Sequence, residues 1–212
     1  MKPTVSPEIV EYVEHDILPR YDGFDKAHRR DHAEMVISQS LELAGRMPQL
    51  DADMVYIIAA FHDLGLINGR ENHHIDSGKI LMADTFVQHH FSDAQIDTMR
   101  CAIEDHRASK SGMPRTDYGC VVAEADRFID PETIIRRTIQ YGLGHYPELS
   151  REGHYSRTME HLQEKYGPGG YLKICIPWSD NARKLKELHG IIADSDALRA
   201  IFDRIFDQET SR

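Results

Sequence analysis

"AAFHDLGLINGRENHHIDSG", residues 59–78, begins as an apolar helix and ends in side chains that bind protons and metals. Val55, Ile58, Ala59 and His62 stand at i, i+3, i+4 and i+7, the spacing of one helical face, so His62 is expected to point into the core with them. Asp63 follows about 100° further round the helix, near enough to share a site with His62. His73 and His74 come soon after.

The same arrangement recurs along the chain. His32 precedes Met35, Val36 and Leu43 on an apolar face, with His28 one turn before it. Ile96, Met99, Ile103 and His106 form another stripe, and Val122 lies directly beneath Asp126. A single inward histidine is ordinarily a core residue with one hydrogen bond. Two buried carboxylates beside several imidazoles are costly unless a cation compensates them, and a divalent metal is the economical partner.

Almost every segment reads as helix, and no series of alternating apolar and polar runs exists to build a sheet. Ser6-Pro7-Glu8 is expected to cap a first helix that stops near Pro19. A second spans about 25–45, and a third runs from Asp51 to about Leu64, with Gly65 as its left-handed cap. A fourth spans about 72–90, and a fifth runs from the capping box at Ser92 and Gln95 to about Arg107. After the polar loop 108–115 come helices from about Thr116 to Ile129 and from Asp130-Pro131-Glu132 onward. The stretch 142–150 reads as irregular, a helix covers about 154–166, and Gly167-Pro168-Gly169-Gly170 is a break. "YLKICIP" is extended or irregular, and two helices at about 181–192 and 196–207 close the chain. The organisation expected is one domain: an N-terminal helix at 1–25, a core at 26–130 and a helical elaboration at 131–212.

Composition bounds the function. With 41% apolar and 28% charged residues the chain is globular, and no apolar stretch approaches the roughly 20 residues a membrane span needs. The start, MKPTVSPEIVEYVEHD, lacks the pattern of a signal peptide, so a cytoplasmic location is expected. Cys101, Cys120 and Cys175 are widely spaced and form no CxxC pair, which reads as reduced thiols. A formal charge of -10 argues against a nucleic-acid polymer as partner, although a bound metal and a few arginines can still hold a small phosphorylated ligand.

His32, the doublet His62-Asp63 and Asp126 within "VVAEADR" resemble the H…HD…D signature of the HD-domain superfamily of metal-dependent phosphohydrolases, over about 26–129. The resemblance implies an all-α, HD-domain-like helical bundle with additional C-terminal helices. It also implies that His32, His62, Asp63 and Asp126 are the ligands of a first metal. A two-metal branch of the superfamily has two further histidines between the doublet and the last aspartate, and "NHHIDSGKIL" and "IEDHR" stand at the corresponding places. His106 fits one role. His73 and His74 differ by about 100° around a helix, so one of them is expected to ligate, and the register to Leu81, which resembles the HPxxGxxIL form of related proteins, favours His73. The resemblance implies that in a binuclear site Asp63 would be shared by the two metals, which would supply a hydroxide as nucleophile.

The resemblance thus implies one or two divalent transition metals per chain, from among Fe, Mn, Ni, Co and Zn. The loop after His106 departs from the HHExxxGxGYP form of the cyclic-dinucleotide phosphodiesterases: "DHRASKSGMP" has aspartate, arginine and methionine where that form has histidine, glutamate and tyrosine. Arg107, Lys110 and Arg115, and more weakly Arg127, are instead expected to hold phosphate. The leading function is hydrolysis of a phosphate ester or anhydride in a nucleotide or small phosphorylated metabolite. "AIEDHR" and "VAEADR" resemble the bacterial diadenosine tetraphosphatases, which makes a dinucleoside polyphosphate one candidate. Two further readings are a di-iron HD-domain oxygenase and a regulatory module without turnover. A homo-oligomer is compatible with all three.

Overall fold

The computed structural model describes residues 3–24, 28–107 and 112–211. Among them are eleven α-helices and no strand, so the fold is all-α. The chain divides into two compact units, Met1–Arg127 and Phe128–Arg212.

The first unit opens with α1 (Pro7–Tyr12), which does not stop at Pro19: a π-helical turn (Val13–Ile17) and a 3-10 segment (Leu18–Gly23) continue it. Ile9, Val13, Ile17, Leu18 and Tyr21 are buried in the same core as the helices that follow. Ser6 does not cap α1 with its side chain. Its N–H and hydroxyl both go to the Asp53 carboxylate, at 2.7 and 2.6 Å, tying the chain start to α3 (Ala52–Phe61).

Helix α2 (Arg30–Ala44) starts later than its apolar pattern suggests. Asp51 caps α3 as expected, accepting from the N–H groups of Asp53 and Met54, and the helix is buried on every side from Met54 to Phe61. A 3-10 segment (Leu64–Asn68) then carries the chain over the start of α4 (His73–Ala83).

Three expectations are corrected here. Gly65 is no left-handed cap: it lies inside the 3-10 segment, and the positive-φ glycines among the described residues are Gly69, Gly112 and Gly169. The single helix over 72–90 is two, α4 and α5 (Thr85–His90), because Asp84 adopts an extended conformation and caps α5 through the Val87 N–H. The fifth helix, α6 (Asp93–Asp105), starts at the Ser92–Gln95 capping box but ends before His106. Helix α7 (Asp117–Ala125), capped by Thr116, completes the unit.

The second unit consists of α8 (Pro131–His145), α9 (Arg151–Tyr166), α10 (Asp180–Ala193) and α11 (Ser195–Thr210). Asp130 caps α8 as its sequence predicts, although α8 runs on to His145 through part of the stretch read as irregular, and α9, capped by Ser150, starts at Arg151, earlier than the helix expected from about 154. The segment 171–177 is irregular and not a strand. Ile135, Ile139, Leu162, Leu188, Phe202 and Ile205 form the buried face, and arginines on the outside pair with Asp203, Asp207, Glu132 and Glu152.

Candidate metal centre

Five helices of the first unit bring their ends to one place. The run of α3 ends at His62, which keeps helical dihedrals as the C-cap, and Asp63 breaks from it. His106 and Asp126 likewise stand at the C-caps of α6 and α7, whereas His32 and His73 lie in the first turns of α2 and α4. Three helix C-termini, the negative ends of their dipoles, therefore meet where two carboxylates already lie. A cation belongs there on electrostatic grounds alone.

Asp63 is at the centre. Its Oδ2 is 3.4 Å from His62 Nε2 and 3.8 Å from His32 Nε2, while its Oδ1 is 3.5 Å from both His73 Nε2 and His106 Nε2. Within the first group the Nε2 atoms of His32 and His62 are 3.3 Å apart, and Asp126 Oδ1 is 3.2 Å from His32 and 3.9 Å from His62. Within the second, the Nε2 atoms of His73 and His106 are also 3.3 Å apart. The donor atoms of His32, His62 and Asp63, and those of Asp63, His73 and His106, are grouped closely enough to hold an ion in each case.

The backbone fixes the direction of these rings. Nδ1 of His62 donates to the Ala59 carbonyl at 2.7 Å, that of His106 to Ile103 at 2.6 Å, and that of His73 to Arg70 at 2.8 Å. A carbonyl only accepts, so each Nδ1 carries a hydrogen, and a ring that gives up its other proton to a metal turns the lone pair of Nε2 toward its neighbour. Between His73 and His106 two such lone pairs at 3.3 Å repel unless a cation lies between them. The donor set fits a divalent metal: imidazole nitrogens oriented by backbone carbonyls, and carboxylate oxygens.

The titration behaviour agrees with that fit. Burial opposes the charged form of His62, but the charges of Asp63 and Asp126 outweigh it and raise its pKa to about 9. Burial likewise opposes the ionised form of Asp63, yet His62 and His106 hold its carboxyl well below the usual range. Asp126 is also lowered, with the His32 hydrogen bond outweighing burial. His73 is lowered, chiefly by burial. The site draws positive charge toward its centre.

Its floor is closed and its rim open. The side chains of His62, His106 and Asp63 are 0, 3 and 5% exposed, against 16% for His32, 15% for His73 and 25% for Asp126, so among these six the latter three form the exposed edge of the site.

The other residues singled out from the sequence divide. His74 stands outside both groups, its ring 5.5 Å from that of His73. Arg107, next to His106, donates from Nη1 to the Glu71 carbonyl at 2.6 Å. Arg115 is turned to other work: its guanidinium engages Asp105, Glu104 and the Cys101 carbonyl. Arg127 is nearly buried just past Asp126, and Lys110 lies outside the described residues.

Two contributors had no signal in the sequence. The buried Tyr21 hydroxyl donates to the Ala60 carbonyl at 2.8 Å and accepts from the Asp63 N–H at 3.4 Å, fixing the backbone where α3 ends. Ser77 on α4 accepts from the Gly65 N–H at 2.8 Å. Both are contacts between segments distant in the chain, and no local spacing reveals them.

Residues 29–129 match the family model described as "HD domain". This stretch is an HD domain, of the superfamily of metal-dependent phosphohydrolases. No curated protein and no solved structure matches the chain. The HD-domain match spans α2 through α7 and contains every residue of the two donor groups. No described helix is long and apolar enough to cross a membrane.

Proposed function

We propose that the chain is a metal-dependent phosphohydrolase that cleaves a phosphate ester or anhydride in a nucleotide or small phosphorylated metabolite, with a dinucleoside polyphosphate as one candidate. The observation that carries the proposal is the division of Asp63, with Oδ2 toward His32 and His62 and Oδ1 toward His73 and His106. In this reading His32, His62, Asp63 and Asp126 hold one divalent ion, and Asp63, His73 and His106 hold a second. Fe, Mn, Co, Ni and Zn all suit nitrogen and carboxylate donors. Such a pair, when bound, supplies a water of lowered pKa and positive charge against the phosphoryl oxygens.

The chain's own residues supply the geometry. Asp63 sets the spacing between the groups, and Tyr21 fixes the backbone that carries it. The closed floor formed by His62 and His106 keeps water from the far side, so the phosphate enters past His32, His73 and Asp126. Arg107, next to His106 and with Nη1 on the Glu71 carbonyl, is the residue we assign to hold a phosphate oxygen with the rest of its guanidinium. The formal charge of -10 disfavours a nucleic-acid polymer and favours a small substrate. We place the reaction in the cytoplasm, the compartment in which widely spaced cysteines in no CxxC pair stay reduced.

The test combines metal analysis with a nucleotide panel. Protein loaded with Mn, Fe, Co or Ni is expected to carry about two ions per chain and to release phosphate from at least one phosphorylated substrate. Protein shown to be metal-loaded that releases none with any metal overturns the hydrolase reading. Iron-loaded protein that consumes oxygen in the presence of a substrate supports the oxygenase instead.

A further inference from the structure

The loop after α6 leaves the helix at His106, and where it returns at Arg115 it is fastened to the end of the helix it left. The Asp105 carboxylate, with a fully buried side chain, accepts from the Arg115 backbone N–H at 2.7 Å and from Arg115 Nε at 2.9 and 3.1 Å. Arg115 Nη2 donates to the Cys101 carbonyl at 3.1 Å and to Glu104 at 2.7 Å, and Glu104 is held from its other side by Arg100. One guanidinium thus grips residues 101, 104 and 105, the turn from which His106 projects.

The position makes this grip necessary. Asp105 is at the C-terminal end of α6, where the helix already presents negative charge, and a carboxylate buried there without a cation is costly. His106 Nδ1 donates into the same turn, at the Ile103 carbonyl, and Arg107 leaves from it toward Glu71. Any slackening of that turn moves His106 Nε2 away from Asp63 and His73. It leaves His32, His62 and Asp126, which are carried by other helices, where they are.

We propose that Arg115 is a positioning residue for the second donor group: by fastening Asp105 and Glu104 it aims His106 at Asp63 and sets the direction of Arg107. This inference rests on the two-metal reading above. The fork geometry matters, since lysine offers one point charge and cannot serve Nε and Nη2 partners together.

The test titrates Mn²⁺ into the metal-free full-length chain and its Arg115→Ala and Arg115→Lys variants, with melting of the metal-free proteins as a control on folding. The wild type is expected to bind two ions. Arg115→Ala is expected to keep one at wild-type affinity and to bind the other about 10- to 100-fold more weakly, with Arg115→Lys in between. Both ions bound at wild-type affinity by Arg115→Ala overturns the inference, as does equal weakening of both. Should Arg115→Ala not fold, Arg115→Lys decides on the same terms: selective weakening of one ion supports the role and unchanged binding of both overturns it. A wild-type count of one overturns the two-metal reading itself and this inference with it, a result distinct from two ions that ignore Arg115.

Discussion

The backbone N–H of Gly65 donates to the Ser77 hydroxyl at 2.8 Å, in a contact so close that no side chain fits between the 3-10 segment and α4. A Cβ at Gly65 would stand 2.1 Å from the His73 carbonyl oxygen and 2.5 Å from the Ser77 nitrogen, both backbone atoms that cannot swing aside. This approach brings His73 within reach of Asp63, two residues before Gly65. Gly65→Ala is therefore expected to push α4 outward, lowering stability by about 1–3 kcal/mol and weakening the second group's hold on its ion. A melting curve and a metal count check both parts. Wild-type values in each would mean that the helices separate freely here.

His73 and His74 should behave differently. His73→Ala removes a donor 3.5 Å from Asp63 Oδ1 and is expected to lower the metal count by about one ion per chain. His74 stands outside both groups, so His74→Ala should leave the count unchanged. Equal loss in the two variants would place both rings in the site.

Tyr21→Phe keeps the buried ring and removes the hydroxyl between the Ala60 carbonyl and the Asp63 N–H. The loss of a buried hydroxyl that serves both an acceptor and a donor costs about 1–3 kcal/mol. Denaturant unfolding of the metal-free protein measures this, and the metal affinity of the folded variant shows whether Asp63 has shifted. A variant as stable as wild type would show that water replaces the hydroxyl.

Glu104 gives the fold a pH dependence of known sign. Burial pushes its carboxyl up, but the hydrogen bonds from Arg115 and Arg100 outweigh it and hold its pKa below the usual glutamate value. A carboxyl lowered on folding stabilises the folded state above its unfolded pKa and loses that contribution as pH falls through its folded pKa. Wild type should exceed Glu104→Gln by about 1 kcal/mol at neutral pH, and the gap should close as pH falls below about 4. Melting of both proteins at pH 7 and pH 3 tests it, and a gap that is constant with pH would sink the assignment.

The sequence by itself determined which faces of the helices carry the chemistry. Helical spacing put His62 on the buried stripe of α3 and His106 on that of α6, and Asp51, the Ser92–Gln95 capping box, Thr116 and Asp130 marked where α3, α6, α7 and α8 begin. These are local rules, because a period of 3.6 residues and a side chain reaching two or three residues ahead need no knowledge of the rest of the chain. Only the tertiary structure put His73 and not His74 beside Asp63 and His106, paired Arg115 with Asp105, broke the long fourth helix at Asp84 and turned Gly65 from a cap into a close contact. Each of these depends on what a residue far along the chain places opposite: Asp63 for His73, Asp105 for Arg115, Tyr12 for Asp84 and Ser77 for Gly65. Spacing along a helix sets the direction in which a side chain points, and packing between helices sets what it meets.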